Sequence, residues 1–419
     1  MFTFRGNPHA GLGPDFHRIW ASITVSSLGD GMRFVALPLL AARLTTDPRQ
    51  IAAVYVAEQL PLLLFGLLAG AVADRADRRR ILWLVDAARA LTVGALAAAV
   101  ASHALTIQLL VGVSFLLGLG QTVYNGAWSG LVPTMVAPEN FTRANARLQA
   151  GSLVTDTLLG TPLGAMLFGI TAALPFAVDA GSFAAAAALA FLLQGNFRPQ
   201  PSPTAARRET LRSDMAYGLR WLWRHRLLRR LCLASAIMNL VAAALIAVLV
   251  LYARQVLGLG SLGFAFLIAS FALGGMAGAA ATSRLTARFG NDRVLRLAAA
   301  TTAIAAVGAG ATASGLVAGA CIALYGATSL VWNITAISLR QSLVPADLLG
   351  RVAMAFQMAI GGATTLGAAA GGFVASAFGL RAPFYVGAVL LVAAGLVPMR
   401  AVGEEGTAAA PGAVGEALS

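Results

Sequence analysis

The chain has 419 residues, of which 58% are hydrophobic and 11% are charged, and its mean hydropathy is +0.77. This composition excludes an ordinary soluble domain, in which about 25% of residues are charged. The net charge of +13 does not indicate a nucleic-acid-binding protein, because the basic residues lie between apolar blocks and not on one soluble face. Those blocks are about twenty residues long, the length that crosses the hydrocarbon core of a bilayer. We therefore predict an all-α integral membrane protein whose solvent is the lipid bilayer.

The apolar blocks predict twelve transmembrane helices, six on each side of a polar stretch. The first six predicted spans are 17–42, 51–73, 81–102, 106–135, 146–170 and 174–193. The second six are 231–253, 261–283, 294–313, 316–339, 352–378 and 383–399. The predicted domains are a cytoplasmic N-terminal segment (1–16), a six-helix bundle (17–193), a cytoplasmic linker (194–230), a second six-helix bundle (231–399) and a disordered cytoplasmic tail (400–419).

The segments outside the spans carry few other signals. The N-terminal segment lacks the short apolar region and cleavage site of a signal peptide, so we expect no removed leader. The linker holds nine arginines beside Trp221 and Trp223, which is typical of an amphipathic helix at a membrane surface. It would act as a tether between the bundles or as a regulatory, partner-binding segment. Cys232 and Cys321 lie inside apolar blocks without metal-ligand spacing, so we expect neither a metal site nor a cofactor.

The arginines predict the orientation, because cytoplasmic loops near span ends retain basic residues. With a cytoplasmic N-terminus, 24 of the 30 arginines fall on the cytoplasmic side. Four fall on the opposite side: Arg43, Arg49, Arg254 and Arg381. We therefore predict a multi-pass protein of the plasma membrane, the inner membrane of a bacterium, with both termini in the cytoplasm.

Three patterns recur between the halves at nearly constant offsets, which indicates a duplicated bundle. The acid after span 2 (Asp74) corresponds to Ser283 after span 8, an offset of 209. A Leu-Val-Pro sequence follows span 4 at 131–133 and span 10 at 343–345, an offset of 212. Glycines of span 5 recur in span 11 at offsets of 207 to 210: Gly160, Gly164 and Gly169 against Gly367, Gly371 and Gly379.

The loop after span 2 resembles the loop 2–3 signature of the major facilitator superfamily, through Gly70, Asp74, Arg75, Arg78 and Arg79. The resemblance implies twelve transmembrane helices in two pseudo-repeated six-helix bundles. It also implies that these residues form a charged latch, which holds the cytoplasmic ends of the halves together in the outward-facing state. An alternative for the arginines is that they only anchor the loop in the cytoplasm.

Span 5 is similar to the corresponding helix of the superfamily's drug antiporters, through Gly151, Gly160, Pro162 and Gly164. The proline is expected to kink the span and the glycines to allow close packing. The resemblance implies export, and ordinary small-residue packing is the alternative. The start of span 1, at 27–30 and 36–38, and the 176–183 segment with Asp179 resemble the macrolide-efflux and enterobactin-exporter branch. Many antiporters carry an arginine midway along span 4, where this chain has 114–116 (Ser-Phe-Leu), so coupling through such an arginine is not expected.

A charged residue at the centre of a span raises the free energy of membrane insertion by roughly 2.5–3.5 kcal/mol. Such residues are therefore expected to have a partner or a function. Four of them could meet in the first half: Asp30, Arg33, Glu58 and Asp156. Burial disfavours an ionised carboxylate and a nearby arginine favours it, so we predict that one of these acids binds a coupling proton. A permanently ionised Asp30–Arg33 pair that only fixes packing is the alternative. Asp86 and Arg89, spaced at i, i+3, are predicted to form a structural pair.

In the superfamily fold, spans 1, 4, 7 and 10 line the central cavity. The resemblance places six candidate substrate-binding residues there: Tyr124, Asn125, Trp128, Asn239, Trp332 and Asn333. Aromatic faces beside amides suit small amphiphilic molecules such as drugs, macrolides or siderophores. The sequence therefore predicts a monomeric, proton-coupled exporter and not an enzyme, since no metal-binding His pair or nucleophile elbow occurs. An importer of the same fold and a non-transporting receptor or scaffold stay open.

Overall fold

The computed structural model describes residues 14–73, 76–128, 136, 140–193, 219–345 and 348–396. Twelve main helices follow one another in the described chain, and a short helical segment at 219–224 precedes the seventh. They are α1 Pro14–Leu44, α2 Pro48–Ala73, α3 Arg78–Ala101, α4 Ile107–Trp128, α5 (the contiguous segments Phe141–Ser152, Leu153–Gly160 and Thr161–Ile170), α6 Leu174–Phe191, α7 Arg226–Leu251, α8 Ser261–Phe289, α9 Asn291–Ala311, α10 Gly315–Leu343, α11 Leu349–Phe378 and α12 Ala382–Leu396.

Ten of these helices are long and apolar enough among the described residues to cross a membrane, and α12 is a shorter apolar helix. Several extend beyond the predicted spans, because backbone hydrogen bonding continues where the apolar sequence stops. α8, for example, ends at Phe289 and not at 283. α7 begins at Arg226, within the segment that we predicted as linker. The predicted end of span 4 at 129–135, the linker residues 194–218 and the tail lie outside the described residues.

The two halves repeat the same helix pairings. In the first half α1 packs against α5 and α6, α3 against α4 and α6, and α2 against α4. In the second half α7 packs against α11 and α12, α9 against α10 and α12, and α8 against α10. Each second-half pair is the first-half pair shifted by six helices, so the predicted architecture of two pseudo-repeated bundles is confirmed.

Glycines allow a close helix contact at the corresponding place in each half. A Cβ at Gly160 or Gly164 of α5 would collide with the backbone of α1 near residues 28 and 32. A Cβ at Gly367 or Gly371 of α11 would collide with the backbone of α7 at residues 240 and 244. Both sets of partners are related by an offset of 212 and both glycine pairs by 207. The predicted glycine repeat is therefore a repeat of close helix packing.

α5 departs from regular α-helix where α11 does not. Its middle segment, Leu153–Gly160, is π-helical and contains Asp156, whereas α11 is α-helical over all 30 residues. The π-helical stretch ends just before Pro162, which cannot donate a backbone hydrogen bond. Ala369 stands in α11 at the position that corresponds to the proline. The irregularity expected from the proline thus takes the form of a one-sided π-helix, a feature frequent at functional sites.

The halves contact each other at the end of the bundle that carries the α1–α2 loop. α2 packs against α11 and the last segment of α5 packs against α8. The Arg254 Nη1 donates a 3.0 Å hydrogen bond to the Ala42 carbonyl across the interface. A Cβ at Gly372 of α11 would meet the Ala52 side chain and lie 3.0 Å from the Pro48 carbonyl. The two halves are therefore in contact at this end of the molecule.

Candidate functional site

One arginine in the first half contacts three carboxylates. The Arg33 Nη2 lies 2.5 Å from an Asp30 oxygen, its Nη1 lies 2.9 Å from a Glu58 oxygen, and its Nε lies 3.2 Å from an Asp179 oxygen. The arginine side chain is 8% exposed and that of Asp179 is 0% exposed, whereas Asp30 and Glu58 are 28% and 27% exposed. We call these four residues the Arg33 cluster. Its buried members are fixed and its two half-buried acids face open space.

Three helices position the Arg33 cluster. Asp30 and Arg33 lie one turn apart on α1, Glu58 lies on α2 and Asp179 on α6. Gly29 makes the α6 contact possible, because a Cβ there would collide with the carboxylate of Asp179 and the hydroxyl of Ser182. Ser182 Oγ donates hydrogen bonds to the Asp179 carbonyl at 2.8 Å and to its carboxylate at 3.3 Å. The acid is therefore held in one orientation toward the arginine.

The charges of the Arg33 cluster do not cancel. One guanidinium facing three ionised carboxylates leaves a net charge of −2 in a bundle interior, where uncompensated charge is costly. A proton on one of the acids reduces that charge.

Three of the four charged residues that we predicted to meet are in contact in the structure. Asp30, Arg33 and Glu58 meet as predicted, and the Asp30–Arg33 pair that we kept as an alternative is present. Asp156 makes no ion pair with Arg33 among the described contacts; its backbone carbonyl instead packs against Gly31. Asp179 was missed as a partner of Arg33. The signal was present, because Asp179 is an acid inside an apolar block.

The predicted Asp86–Arg89 pair does not form, and that prediction was wrong. Both Asp86 oxygens lack a hydrogen-bond partner among the described residues. Arg89 donates through Nη2 to the Gln121 side-chain carbonyl of α4. Its guanidinium also lies 5.4 Å from the ring centroid of Tyr124 and 5.1 Å from that of Phe183. Helix spacing allowed the pair, but the amide and ring faces of neighbouring helices hold the arginine away from it.

A polar cavity of about 230 Å³ lies within the first half, and we call it the first-half cavity. Its lining contains the acid Asp30 and the base Arg89, with hydroxyls and amides between them. It is lined by Ile23, Ser26, Ser27, Asp30, Arg89, Gln121, Tyr124, Asn125, Trp128, Leu148, Gln149 and Ser152. Three of the six predicted substrate-binding residues lie here: Tyr124, Asn125 and Trp128.

A mainly apolar cavity of about 440 Å³, the second-half cavity, holds the other three predicted residues, Asn239, Trp332 and Asn333. Its other lining residues are Leu153, Met238, Ala242, Phe271, Ala272, Gly275, Met276, Ala279, Gly326, Ser329 and Leu330. Leu153 comes from α5 of the first half, and its neighbour Ser152 lines the first-half cavity. The six candidates are therefore divided between two cavities that border the same turn of α5.

The predicted latch is only partly described. Asp74 and Arg75 lie outside the described residues. Arg79 donates to the Phe191 carbonyl at the end of α6, and its backbone N–H donates to the Asp77 carboxylate at 3.0 Å. Asp77 thereby caps the start of α3, a role that the sequence analysis did not assign. A Cβ at Gly70 would meet no atom within 4 Å.

Comparison with known proteins places this geometry among membrane transporters. A family model described as "transmembrane secretion effector" matches residues 10–411. The MFS-type transporter YfiS of Bacillus subtilis is 29% identical over 400 residues, which cover 90% of this chain and 91% of that protein. The multidrug efflux pump Tap of Mycolicibacterium fortuitum is 28% identical over 242 residues, covering 56% of this chain and 57% of the pump.

Among solved structures, a bacterial homologue of the iron transporter ferroportin, in its inward-facing state, has the same fold. The TM-score is 0.71 at 17% sequence identity, and the match covers 93% of this chain and 98% of that one.

Proposed function

The chain belongs to the transmembrane secretion effector family of major facilitator transporters, and we propose that it exports small amphiphilic molecules in exchange for protons. It is a multi-pass membrane transporter of small molecules and not an enzyme. The finer statements, which concern the direction of transport, the substrate and the coupling ion, are our proposal.

The observation that carries proton coupling is the Arg33 cluster at the wall of the first-half cavity. Asp30 belongs to both, so a proton on Asp30 and a substrate in the cavity act on the same carboxylate. Glu58 and Arg33 line a second, small opening between the halves. Protonation of either acid weakens its hold on Arg33 and changes the charge that the cavity presents. Alternation between proton and substrate at this place is the chemistry of an antiporter.

The α5 segment supports export. Its glycines pack against α1, and the turn at which its π-helical stretch begins borders both cavities, with Ser152 in one lining and Leu153 in the other, so a change in α5 would alter both together. The resemblance of this motif to drug antiporters and the similarity to the Tap pump favour the same direction. Amphiphilic substrates fit one polar and one mainly apolar cavity that share a border.

The contacts between the halves at one end support an alternating-access cycle. The arginine distribution predicts that the α1–α2 loop lies outside the cell. With that orientation, the described contacts between the halves lie at the external side, which supports an inward-facing state. In this state an exporter takes up its substrate from the cytoplasm.

Accumulation of a fluorescent dye or a macrolide in an efflux-deficient bacterium that expresses the chain tests this proposal. We expect lower accumulation than with an empty vector, reversed by a protonophore. Neutralising Asp30, Glu58 and Asp156 one at a time should abolish or uncouple efflux for at least one of them, and unchanged efflux in all three would refute the proton site. Higher accumulation than in cells with the empty vector would indicate an importer. Accumulation equal to that of the empty-vector cells for every substrate class would favour a receptor.

A further inference from the structure

Asp86 is a buried carboxylate that the proposed function does not use. It lies on α3 and is 0% exposed, and neither of its oxygens has a hydrogen-bond partner among the described residues. An ionised carboxylate without donors in a bundle interior is strongly disfavoured, whereas the protonated form loses much less on burial. The surroundings of Asp86 in this state therefore suit a protonated acid.

Arg89, the cationic residue nearest to Asp86 along the chain, is bound to other partners. Arg89, one turn further along α3, donates to the side-chain Oε1 of Gln121 and lies against the ring faces of Tyr124 and Phe183. Gln121 in turn donates a 2.9 Å hydrogen bond from its Nε2 to the side-chain Oδ1 of Asn125. Arg89, Gln121 and Asn125 all line the first-half cavity. The partner that keeps Arg89 from Asp86 is thus a neutral amide in the cavity wall.

We propose that Asp86 is a second proton-binding residue and that Arg89 links its proton to occupancy of the first-half cavity. A substrate group that donates a hydrogen bond to the Gln121 carbonyl displaces Arg89. The guanidinium then pairs with Asp86 at i, i+3, which stabilises the ionised carboxylate. The carboxyl O–H bond breaks and the proton passes to water in the cavity. Substrate and proton therefore compete, and the inference rests on the antiport proposed above.

Among the charged and titratable groups around Asp86, Arg89 is the one whose position determines whether Asp86 is ionised. Asp30 of α1 and Tyr124 of α4 are close enough to interact with Asp86 electrostatically, as is Arg89 on its own helix. Asp179 of α6 interacts electrostatically with Arg89 and also with Arg33, the cation with which both it and Asp30 pair. Of these neighbours Arg89 is the cation without a carboxylate partner in the described contacts. Its position therefore sets the charge of Asp86.

Infrared spectroscopy of the purified full chain in lipid tests the proton directly and needs no substrate. We expect the protonated-carboxyl stretching band at neutral pH to lose one component in Asp86→Asn, and that component to shift in heavy water. Glu58→Gln is the control that keeps the Asp86 component. An Asp86→Asn spectrum identical to the wild type in this band would overturn the inference, while dye efflux would still decide the proposed function separately.

Two substitutions of Gln121 test the role of Arg89 with Asp86 left in place. Gln121→Glu gives Arg89 a charged partner, so the Asp86 component should persist to higher pH than in the wild type. Gln121→Ala frees Arg89 for Asp86, so the component should disappear at lower pH. Shifts in opposite directions support the link, and equal titration in both variants would overturn it. Folding is checked by the same gel-filtration profile for all variants.

Discussion

The two halves share their packing but differ in what they bury. In the described residues the buried charged side chains belong to the first half: Arg33, Asp86, Arg89 and Asp179. The buried polar side chains of the second half are hydroxyls: Ser235, Ser270, Thr282, Thr302, Thr335 and Thr365. The same offset of 212 that relates the glycine contacts places Leu245 where the first half has Arg33. The duplicated fold thus carries charge in one copy and apolar surface in the other.

One pair of positions makes this difference concrete. In the first half Gly29 of α1 makes room for Asp179 of α6. In the second half the glycine is on the other helix, where Gly387 of α12 makes room for Val241 of α7, whose methyl group would lie 2.6 Å from a Cβ at that glycine. Packing needs one small residue at each contact, and either helix can supply it. The fold therefore permits an acid at this contact but does not require one.

We expect the largest loss of stability when Arg33 is replaced by leucine, the residue at the corresponding position (Leu245) of the second half. Arg33→Leu leaves Asp30, Glu58 and Asp179 without their cation, and removing one partner of a buried ion pair costs about 3–5 kcal/mol. We expect little folded protein by thermal unfolding followed on a size-exclusion column. The matched change Leu245→Met keeps volume and should cost less than about 1.5 kcal/mol. Equal stability of the two variants would contradict the division between the halves.

A smaller effect is expected from exchanging the glycine contact. Gly29→Val should destabilise the bundle by about 1–3 kcal/mol through overpacking against α6. The double variant Gly29→Val/Asp179→Gly reproduces the arrangement of Val241 and Gly387, so it should regain part of the lost unfolding temperature. It should not regain protonophore-sensitive efflux. Recovery of both properties would mean that Asp179 has only a packing role.

The second-half cavity should affect substrate selection and not coupling. Phe271 lines it and is 43% exposed, so we expect the fold to tolerate Phe271→Ala. We expect the concentration for half-maximal efflux of an apolar dye to rise about tenfold, which is roughly 1.4 kcal/mol of lost contact. Sensitivity to the protonophore should stay unchanged. Leu273→Ala, an exposed position on the same helix outside the cavity lining, is the control and should behave as wild type.

The smallest effect is expected in the α1–α2 loop. Hydrogen bonds from the Arg49 side chain and backbone N–H hold the pKa of Asp47 below its usual value. A lowered pKa stabilises the folded state above the unfolded-state pKa, and this stabilisation is lost as the pH falls through the folded-state pKa. Asp47→Ala should therefore lower the unfolding temperature slightly at neutral pH. The difference in unfolding temperature between the wild type and Asp47→Ala should shrink in acid. A difference that stays the same or grows as the pH falls would show that the ionised Asp47 carboxylate is not its cause.

Much of the fold was predictable because lipid imposes a simple rule on the sequence. Apolar length gives twelve spans, and close packing gives glycines such as Gly164 and Gly371 at repeated offsets. The partners of Arg33 were predictable only in part. Which acids a guanidinium reaches depends on the rotation of three helices, and one residue changes the direction of a side chain by about 100°.

The sequence analysis predicted Asp86 as the partner of Arg89, whereas the structure shows Gln121 in that role. The cause of this error is also the unknown rotation of the helices. The i, i+3 spacing made the pair possible, but a competing acceptor on α4 is invisible to local spacing. The π-helical stretch of α5 was missed because hydropathy carries no signal for a changed hydrogen-bond register. Pro162 marked the place but not the form of the irregularity.

We propose that substrate and proton cross the membrane in opposite directions and that the proton binds at the Arg33 cluster. The most direct test of this proposal is a proteoliposome with a transported dye inside, a pH-sensitive fluorophore in the lumen and no initial pH gradient. We predict that dye leaving the vesicle drives protons inward, so the lumen acidifies in the wild type and not in Asp30→Asn. Dye efflux without any change of lumenal pH in the wild type would contradict proton antiport.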